Sequence, residues 1–364
     1  MAWGAYLLRR LLTSAGVLAG VVLLTYGLSR FSDADPVLAY LAQTGELEGA
    51  RRVGPDDRAY RAAAKKLGAD LPAFFVTLTP RRASGAGSAP VPSADPAFTV
   101  LPAVRWHGYP NGFTHFAGRL VRGDLGYSTR SGERVAAMLA RALRVTLPIG
   151  LLALLLAVLG AVALGVPLAR TDAGWLRALL YVVVSAPGFW LATLLVTQLA
   201  GRGRPFPGPG WREASASLGS WLAHAALPLA ILAVPAAAYL ALLLAEAMRG
   251  GDRAAIRDVA RLHGLSERAV WWREMLSLGA VPTLSTAVGL LIPSFIGGFV
   301  VVEYVFNVPG LGRLVFESIL ARDWPVVLGV VLLSGAATVL GYTVMDVVNA
   351  WVDPRFRKFV GHGA

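Results

Sequence analysis

The sequence contains no cysteine among its 364 residues. This absence excludes a disulfide framework, a thiolate metal site and a thiol nucleophile. The five histidines are scattered without the spacing of metal ligands, so the sequence predicts no metal site. It also lacks a G-x-x-x-x-G-K-[ST] phosphate loop, a G-x-S-x-G elbow and a convergent Ser/His/Asp set. We therefore expect no nucleotide bound through a phosphate loop and no enzyme activity.

Charged residues are scarce at 15%, whereas hydrophobic residues make up 55% of the chain. Six apolar runs are long enough to cross a hydrocarbon core of about 30 Å. They occupy residues 11–29, 145–169, 178–200, 221–245, 278–302 and 326–345. No cleavage site follows the first run, so we interpret it as a retained span. The sequence predicts an all-α membrane protein with about six transmembrane helices and an extracytoplasmic insertion between the first two.

The formal net charge of +12 arises mostly from basic residues that flank the apolar runs. This pattern is typical of a membrane protein in contact with lipid, and no basic patch interleaved with aromatics indicates a nucleic-acid partner. Arg9 and Arg10 precede the first span and predict a cytoplasmic N-terminus. Six spans would return the C-terminus to the same side. The basic loop at 201–212 would then lie outside, against the charge rule.

The predicted spans divide the chain into four parts. These are an N-terminal tail with the first helix (1–30), an extracytoplasmic segment (31–144), a core transmembrane domain (145–352) with a cytoplasmic loop (246–277), and a cytoplasmic tail (353–364). Within the extracytoplasmic segment, short helices are predicted at 56–67 and 113–121, and a short strand within 97–106. Prolines crowd residues 71–110 and prevent a long helix there.

A polar, turn-rich stretch separates the last two predicted spans. It reads V-E-Y-V-F-N-V-P-G-L-G-R at 302–313 and A-R-D-W-P at 321–325. Pro309, Gly310 and Gly312 predict tight reversals of the backbone. The charged residues at the outer ends of the spans have two open interpretations, ion pairing across an outer gate or a solvated loop. These residues are Glu303, Arg313, Arg322 and Asp323.

The cytoplasmic loop predicts two short helices at an angle. The first covers residues 252–263 and ends at Gly264, which is expected to adopt a positive φ. Ser266 is expected to cap the second helix, at 267–277. From these residues alone, an amphipathic connector on lipid headgroups is favoured over a knob that projects toward a partner.

These stretches together resemble the permease subunits of dipeptide- and oligopeptide-type ABC importers. That family carries V-V-E-x-V-F-x-x-P-G-L-G-R and then A-R-D-[YW]-P, like the stretch between the last two spans. The G-D-L-G-Y-S run at 123–128, A-R-L-H-G-L-S at 260–266 and D-P-R at 353–355 resemble further family motifs. His263 stands where the family often has lysine, and residues 71–110 resemble nothing in the family.

Three groups of residues have candidate roles, and the first role is implied by the resemblance. The cytoplasmic loop would be the coupling helix that docks on an ATPase, through Ala260, Arg261, His263, Gly264, Leu265 and Ser266. The outer loop would contribute to an outer gate through Glu303, Pro309, Gly310, Gly312, Arg313, Arg322 and Asp323. Hinge or packing positions would be Pro187, Gly188, Trp190, Gly297 and Gly298, for which ordinary helix packing is the open alternative.

The resemblance also implies a function and its partners. The chain would form half of a translocation pathway for short peptides in the bacterial cytoplasmic membrane. It would pair with a second, non-identical permease, two ATPase subunits that hold ATP and Mg, and an extracytoplasmic solute-binding protein. Nickel, glutathione or another small solute is an alternative cargo within the family. A membrane-embedded enzyme and a secondary transporter are rivals from other classes, but the sequence shows neither an acid–base set nor coupling carboxylates at mid-membrane.

Overall fold

A computed structural model describes residues 2–29, 37–38, 40–41, 57–67, 70–79, 103–171, 173–201, 203, 205–211, 217–250, 253–293 and 298–352. The proline-rich tract, Gly297 and the D-P-R run near the C-terminus lie outside these residues. The chain forms two compact units. One contains Met1–Val21 and Ala137–Ala364, and the other contains Val22–Ala136.

Most of the described residues are helical. In chain order the helices are α1 (Ala2–Ser29), α2 (Arg58–Leu67), α3 (Gly112–Val121), α4 (Val135–Thr171), α5 (Gly174–Ser185), α6 (Gly188–Leu199), α7 (Leu218–Arg249), α8 (Arg253–Leu262), α9 (Glu267–Ala269), α10 (Leu276–Pro293), α11 (Phe299–Val305), α12 (Leu311–Leu320) and α13 (Trp324–Val352). A π-helical segment, Val270–Met275, joins α9 to α10. The strands are β1 (Val76–Thr79) and β2 (Ala103–Trp106).

Within the described residues, four helices are long and apolar enough to cross a membrane: α1, α4, α7 and α13. The pair α5 and α6 would count as a fifth span. The expected span at 278–302 coincides with α10 and the start of α11, but residues 294–297 between them are not described. The described part of the chain thus contains four or five of the roughly six predicted spans.

The third predicted span is not one helix. α5 and α6 meet at a bend of 92°, where Ala186 and Pro187 have extended backbone with ψ of 124° and 128°. Proline has no N–H and disfavours the helical region for the residue before it, so the helix ends there. The sequence indicated the position of a kink at Pro187, and the structure shows a full break.

α7 lies at the centre of the larger unit because glycines on its neighbours allow close approach. A Cβ on Gly160 of α4 would come 2.9 Å from the Cβ of Ala237. A Cβ on Gly165 would come 2.9 Å from the carbonyl oxygen of Ala241, and one on Gly279 of α10 would come 2.9 Å from Leu244. Inside a bilayer the hydrophobic effect does not drive helices together, and small residues at such crossings allow the close van der Waals packing that does.

The unit Val22–Ala136 is built around aromatic rings at the end of α1. Tyr26 packs against Phe74, Phe113 and Phe116 with centroid distances of 5.1, 5.6 and 5.3 Å, and its hydroxyl donates to the Ala73 carbonyl at 3.0 Å. β1 and β2 form an antiparallel ribbon that pairs Val76 with Trp106. The predicted short strand and both predicted short helices are confirmed here.

Candidate functional site

The loop after α8 turns at a glycine, as its sequence predicts. Gly264 has φ of +77°, and its N–H donates to the Arg261 carbonyl at 2.9 Å. The N–H of Leu265 donates to the Ala260 carbonyl at 3.2 Å. These bonds occupy carbonyls that the end of a helix leaves free, which is the usual role of a glycine after a helix. Ser266 then caps α9 by accepting from the Ala269 N–H at 3.3 Å.

Arg261 points back across this turn to the start of the next helix. Its Nε and Nη2 donate to the two carboxylate oxygens of Glu267 at 2.7 and 3.4 Å, and its Nη1 reaches Asp258 at 3.4 Å. The hydrogen bond from Arg261 lowers the pKa of Glu267, and the same pairing raises the pKa of Arg261. The charge of Arg261 is therefore balanced within its own chain.

A tryptophan anchors the loop to the rest of the helical unit. Trp271 is buried and has the Arg257 guanidinium 5.3 Å from the centre of its ring. Ala260 and Met275 are buried in the same apolar cluster. This cluster also contains Leu168, Ala169, Leu244 and Met248, from the ends of α4 and α7. The structure thus adds Arg257, Glu267 and Trp271 to the loop residues predicted from sequence.

The opposite face of α8 is apolar and exposed. Ile256, Val259 and Leu262 recur at helical spacing and are 41%, 51% and 86% exposed. His263 lies beside them, with its Nδ1 2.8 Å from the Val259 carbonyl oxygen. We call Ile256, Val259 and Leu262 the apolar stripe. The short helix therefore has one face packed on its own chain and one face that no described residue covers.

The outer loop is organised around a buried carboxylate. Glu303, on α11, is 1% exposed. Its Oε1 accepts from the Thr146 hydroxyl at 2.6 Å, and its Oε2 accepts from the N–H groups of Gly312 and Arg313 at 2.7 and 3.1 Å. The Thr146 Oγ1 accepts in turn from the Leu311 N–H at 2.8 Å. The carboxylate therefore satisfies the free N–H groups that begin α12.

Two glycines make room for this arrangement. A Cβ on Gly310 would collide with the Glu303 carboxylate. A Cβ on Gly312 would lie 2.5 Å from the Val300 nitrogen, because α12 begins directly against the α11 backbone. Pro309 immediately precedes this crossing. The two glycines are thus required by close packing, since neither has a positive φ.

The Arg313 guanidinium does not pair with Glu303, so this one of the ion pairs left open by the sequence is not formed. Arg313 Nε donates to Glu317 at 2.6 Å and its Nη1 to the Asn307 carbonyl at 3.3 Å, so only its backbone N–H reaches Glu303. The i, i+4 spacing along α12 gives Arg313 a nearer partner. Arg322 has φ of +56°.

Asp323 is 2% exposed, and its carbonyl accepts from the Val327 N–H at the start of α13. Thr146 is absent from the site residues predicted by sequence, since its partner lies 157 positions away.

The predicted hinge positions are dispersed. Pro187 and Gly188 form the break between α5 and α6, and the Trp190 N–H donates to the Pro187 carbonyl at 3.0 Å. Trp190 is 53% exposed. Gly298 precedes α11 with ordinary helical angles. These residues therefore mark two separate helix boundaries.

Comparison with known proteins places this architecture in a family. The family described as "Binding-protein-dependent transport system inner membrane component" matches residues 158–358, which include the break, the loop after α8 and the outer loop. The chain belongs to this family. It is a multi-pass membrane permease component of an ABC importer. Members of this family work with a binding protein and an ATPase, and the permease component carries no cofactor.

Individual relatives narrow the comparison. A probable peptide ABC transporter permease protein of Sinorhizobium fredii is 32% identical over 68% of this chain and 80% of its own length. The oligopeptide transport system permease AppB of Bacillus subtilis is 31% identical over 67% of this chain and 79% of its own length. The nickel import system permease NikB of Staphylococcus aureus is 28% identical over 71% of this chain and 74% of its own length.

Proposed function

We propose that this permease forms half of the translocation pathway for short peptides. The peptide assignment is supported by the relatives that cover most of the chain, whose names describe peptide, oligopeptide and dipeptide permeases. A second, non-identical permease would complete the pathway. Two ATPase subunits would hold ATP and Mg. A solute-binding protein would deliver the peptide on the side of the Val22–Ala136 unit.

The loop after α8 is the element proposed to dock on an ATPase subunit. The apolar stripe is the observation that carries this assignment, because three large exposed apolar residues on a short polar helix indicate a partner surface. The packed face of the same helix rests on the ends of α4 and α7. A displacement of the loop would therefore move the long helices with it.

Residues at the turn would act on the shape of the loop. Gly264 and Ser266 set the direction in which the second helix leaves, whereas Ala260 and Leu265 fix the turn to the packed face. Arg261 would hold the turn closed through Glu267. His263 lies on the exposed face beside the stripe, where it would touch the partner directly.

The outer loop is proposed to form part of the outer gate. Glu303, Gly310 and Gly312 would keep α12 in a fixed position at the mouth of the pathway. In the orientation proposed for this permease, the N-terminus and the loop after α8 would face the cytoplasm. The outer loop would face outward, and the segment 31–144 would be extracytoplasmic.

Nickel is the second candidate cargo, because the nickel permease of Staphylococcus aureus is also similar. The described residues contain no group of three or more His, Asp or Glu that could hold a metal ion. The number of peptide-named relatives favours peptides.

Leu262→Asp tests the docking assignment. Placing a charge in the apolar stripe should abolish recovery of ATPase subunits with the purified permease and abolish uptake of a labelled tripeptide. Arg268→Ala, on α9, serves as the control and should retain both. Wild-type ATPase recovery by Leu262→Asp would contradict the docking assignment. Uptake of radioactive nickel in place of the tripeptide would instead contradict the peptide assignment.

A further inference from the structure

One helix connects the two parts of the proposed mechanism. α4 is 37 residues long. It contacts the outer loop at Thr146, about three turns after it begins, and the base of the loop after α8 at Leu168 and Ala169, in its last turn. At 1.5 Å per residue, Thr146 and Leu168 are about 33 Å apart along the axis, close to the roughly 30 Å thickness of a hydrocarbon core. α4 therefore reaches from one side of the membrane to the other between two defined contacts.

The outer contact is a closed set of hydrogen bonds. The Thr146 hydroxyl donates to Glu303 and accepts from the Leu311 N–H, so it bridges α4 to both α11 and α12. Both Thr146 and Glu303 are buried. A buried charged group loses much when a partner is removed, because the group is then left unsatisfied. This set fixes α12 to α4 in one geometry.

The inner contact is made by an arginine at the end of α7. Arg249 Nε donates to the Ala169 carbonyl at 2.7 Å, and its Nη2 donates to the Leu168 carbonyl at 3.0 Å. These carbonyls belong to the last turn of α4, where a cation is favoured. Leu168 and Ala169 also pack in the same cluster as Trp271 and Met275. The end of α4 is thus bound to the base of the loop after α8.

Two prolines explain why these contacts are needed. Pro148 and Pro167 are within α4, each within two residues of a contact. Each proline removes one hydrogen bond of the helix and weakens it locally. The stretch between them contains no further proline. The contacts at Thr146 and at Leu168 and Ala169 hold α4 to its neighbours beside these two weakened points.

We propose that α4 transmits displacement of the loop after α8 to the outer loop. Thr146 and Glu303 form the outer joint, and Arg249 forms the inner joint. Thr146, Glu303 and Arg249 are positioning residues, since they act through helices and touch no cargo. The inference rests on the proposed coupling function. It adds a specific consequence: breaking the outer joint should stop the movement of the outer loop while ATPase docking on the loop after α8 is retained.

The test uses the intact transporter purified with its ATPase subunits and reconstituted in lipid. Leu320→Cys supplies a single reporter on α12, since Leu320 is 69% exposed and the natural chain has no cysteine. The rate at which an impermeant maleimide modifies this cysteine is measured with and without a non-hydrolysable ATP analogue. The inference requires that the nucleotide changes this rate when Thr146 and Glu303 are present.

Thr146→Val removes the hydroxyl with little change of shape and should abolish the effect of nucleotide on the reporter. ATPase subunits should still be recovered with this variant. Thr146→Ser keeps the hydroxyl and should restore the effect. Arg249→Met should abolish the effect from the other end of α4. Glu303→Gln adds a further variant, and the Val and Ser pair decides the question if that protein does not fold.

The outcomes separate the two proposals. A wild-type transporter that recovers no ATPase subunits would contradict the coupling function. ATPase recovery without any effect of nucleotide on the reporter would overturn the role of α4 and leave the coupling function intact. A full nucleotide effect in Thr146→Val would also overturn it.

Discussion

Arg261 and Glu267 face each other across the Gly264 turn and share two hydrogen bonds of 2.7 and 3.4 Å. The sequence presents Arg261 as a charge available to a partner, but the structure uses it within the loop. The pKa of Glu267 is lowered by Arg261, so the carboxylate stays charged until the pH falls through that lowered value. The pair is therefore intact at neutral pH and shapes the docking surface indirectly.

The first prediction follows from this pair. Arg261→Glu and Glu267→Arg should each reduce ATPase recovery, because each places like charges together across the turn. The double exchange Arg261→Glu with Glu267→Arg should recover much of the loss. Arg268→Glu is a control with the same charge change in the same loop. Equal losses in the single and double variants would show that Arg261 contacts the ATPase directly.

The second prediction concerns Gly264. Nothing lies within 4 Å of a Cβ placed there, so the only obstacle to a side chain is the positive φ. Gly264→Val should cost about 1–2 kcal/mol in local backbone strain, whereas asparagine enters this region more readily. We expect Gly264→Val to weaken ATPase recovery and Gly264→Asn to retain most of it, both at normal membrane levels. Identical behaviour of the two variants would argue against a conformational role.

The third prediction concerns the outer loop. Gly310→Ala places a methyl group into the Glu303 carboxylate and should destabilise the protein by about 1–3 kcal/mol, as overpacking does. The measurement is the thermal stability of the detergent-purified permease. Gly289→Ala, in α10, is the matched control because its Cβ would meet nothing within 4 Å. Equal stability of the two variants would show that the Glu303 arrangement is not formed.

The fourth prediction concerns topology. Lys65→Cys on α2 and Leu262→Cys on α8 are exposed reporters in a chain without cysteine. An impermeant reagent added to intact cells should modify Lys65→Cys and spare Leu262→Cys. Permeabilised cells that lack the ATPase subunits should show modification of both. The reverse pattern in intact cells would invert the proposed orientation.

The sequence predicted those parts of the fold that depend on local chemistry. The apolar runs located α1, α4, α7 and α13, and the positive φ of Gly264 followed from its place after a helix. Pro187 indicated where the third span breaks, but proline chemistry does not determine an angle of 92°.

The partners of the charged residues could not be predicted in the same way. Glu303 bonds to Thr146, 157 positions away, and a contact of this kind exists only once α4 and α11 have packed. The sequence left Arg313 open as a partner of Glu303 or Asp323, whereas helix geometry places it against Glu317. Glu303 was predicted as a site residue because it is a charge at the outer end of a predicted span, but the groups that it binds were not predicted.

Whether the bent α5–α6 pair crosses the membrane or returns to the same side sets the side of the segments that follow it. Each arm of the α5–α6 pair has 12 residues and is about 18 Å long, and two such arms at a right angle reach about 25 Å from end to end. That diagonal is slightly shorter than a typical core, a mismatch that a locally thinned bilayer accommodates. The N-terminus and Gly264 share one side of the membrane only when this bent pair carries the chain across it. The side of the membrane on which the loop after α8 lies therefore depends on whether the bent α5–α6 pair crosses it.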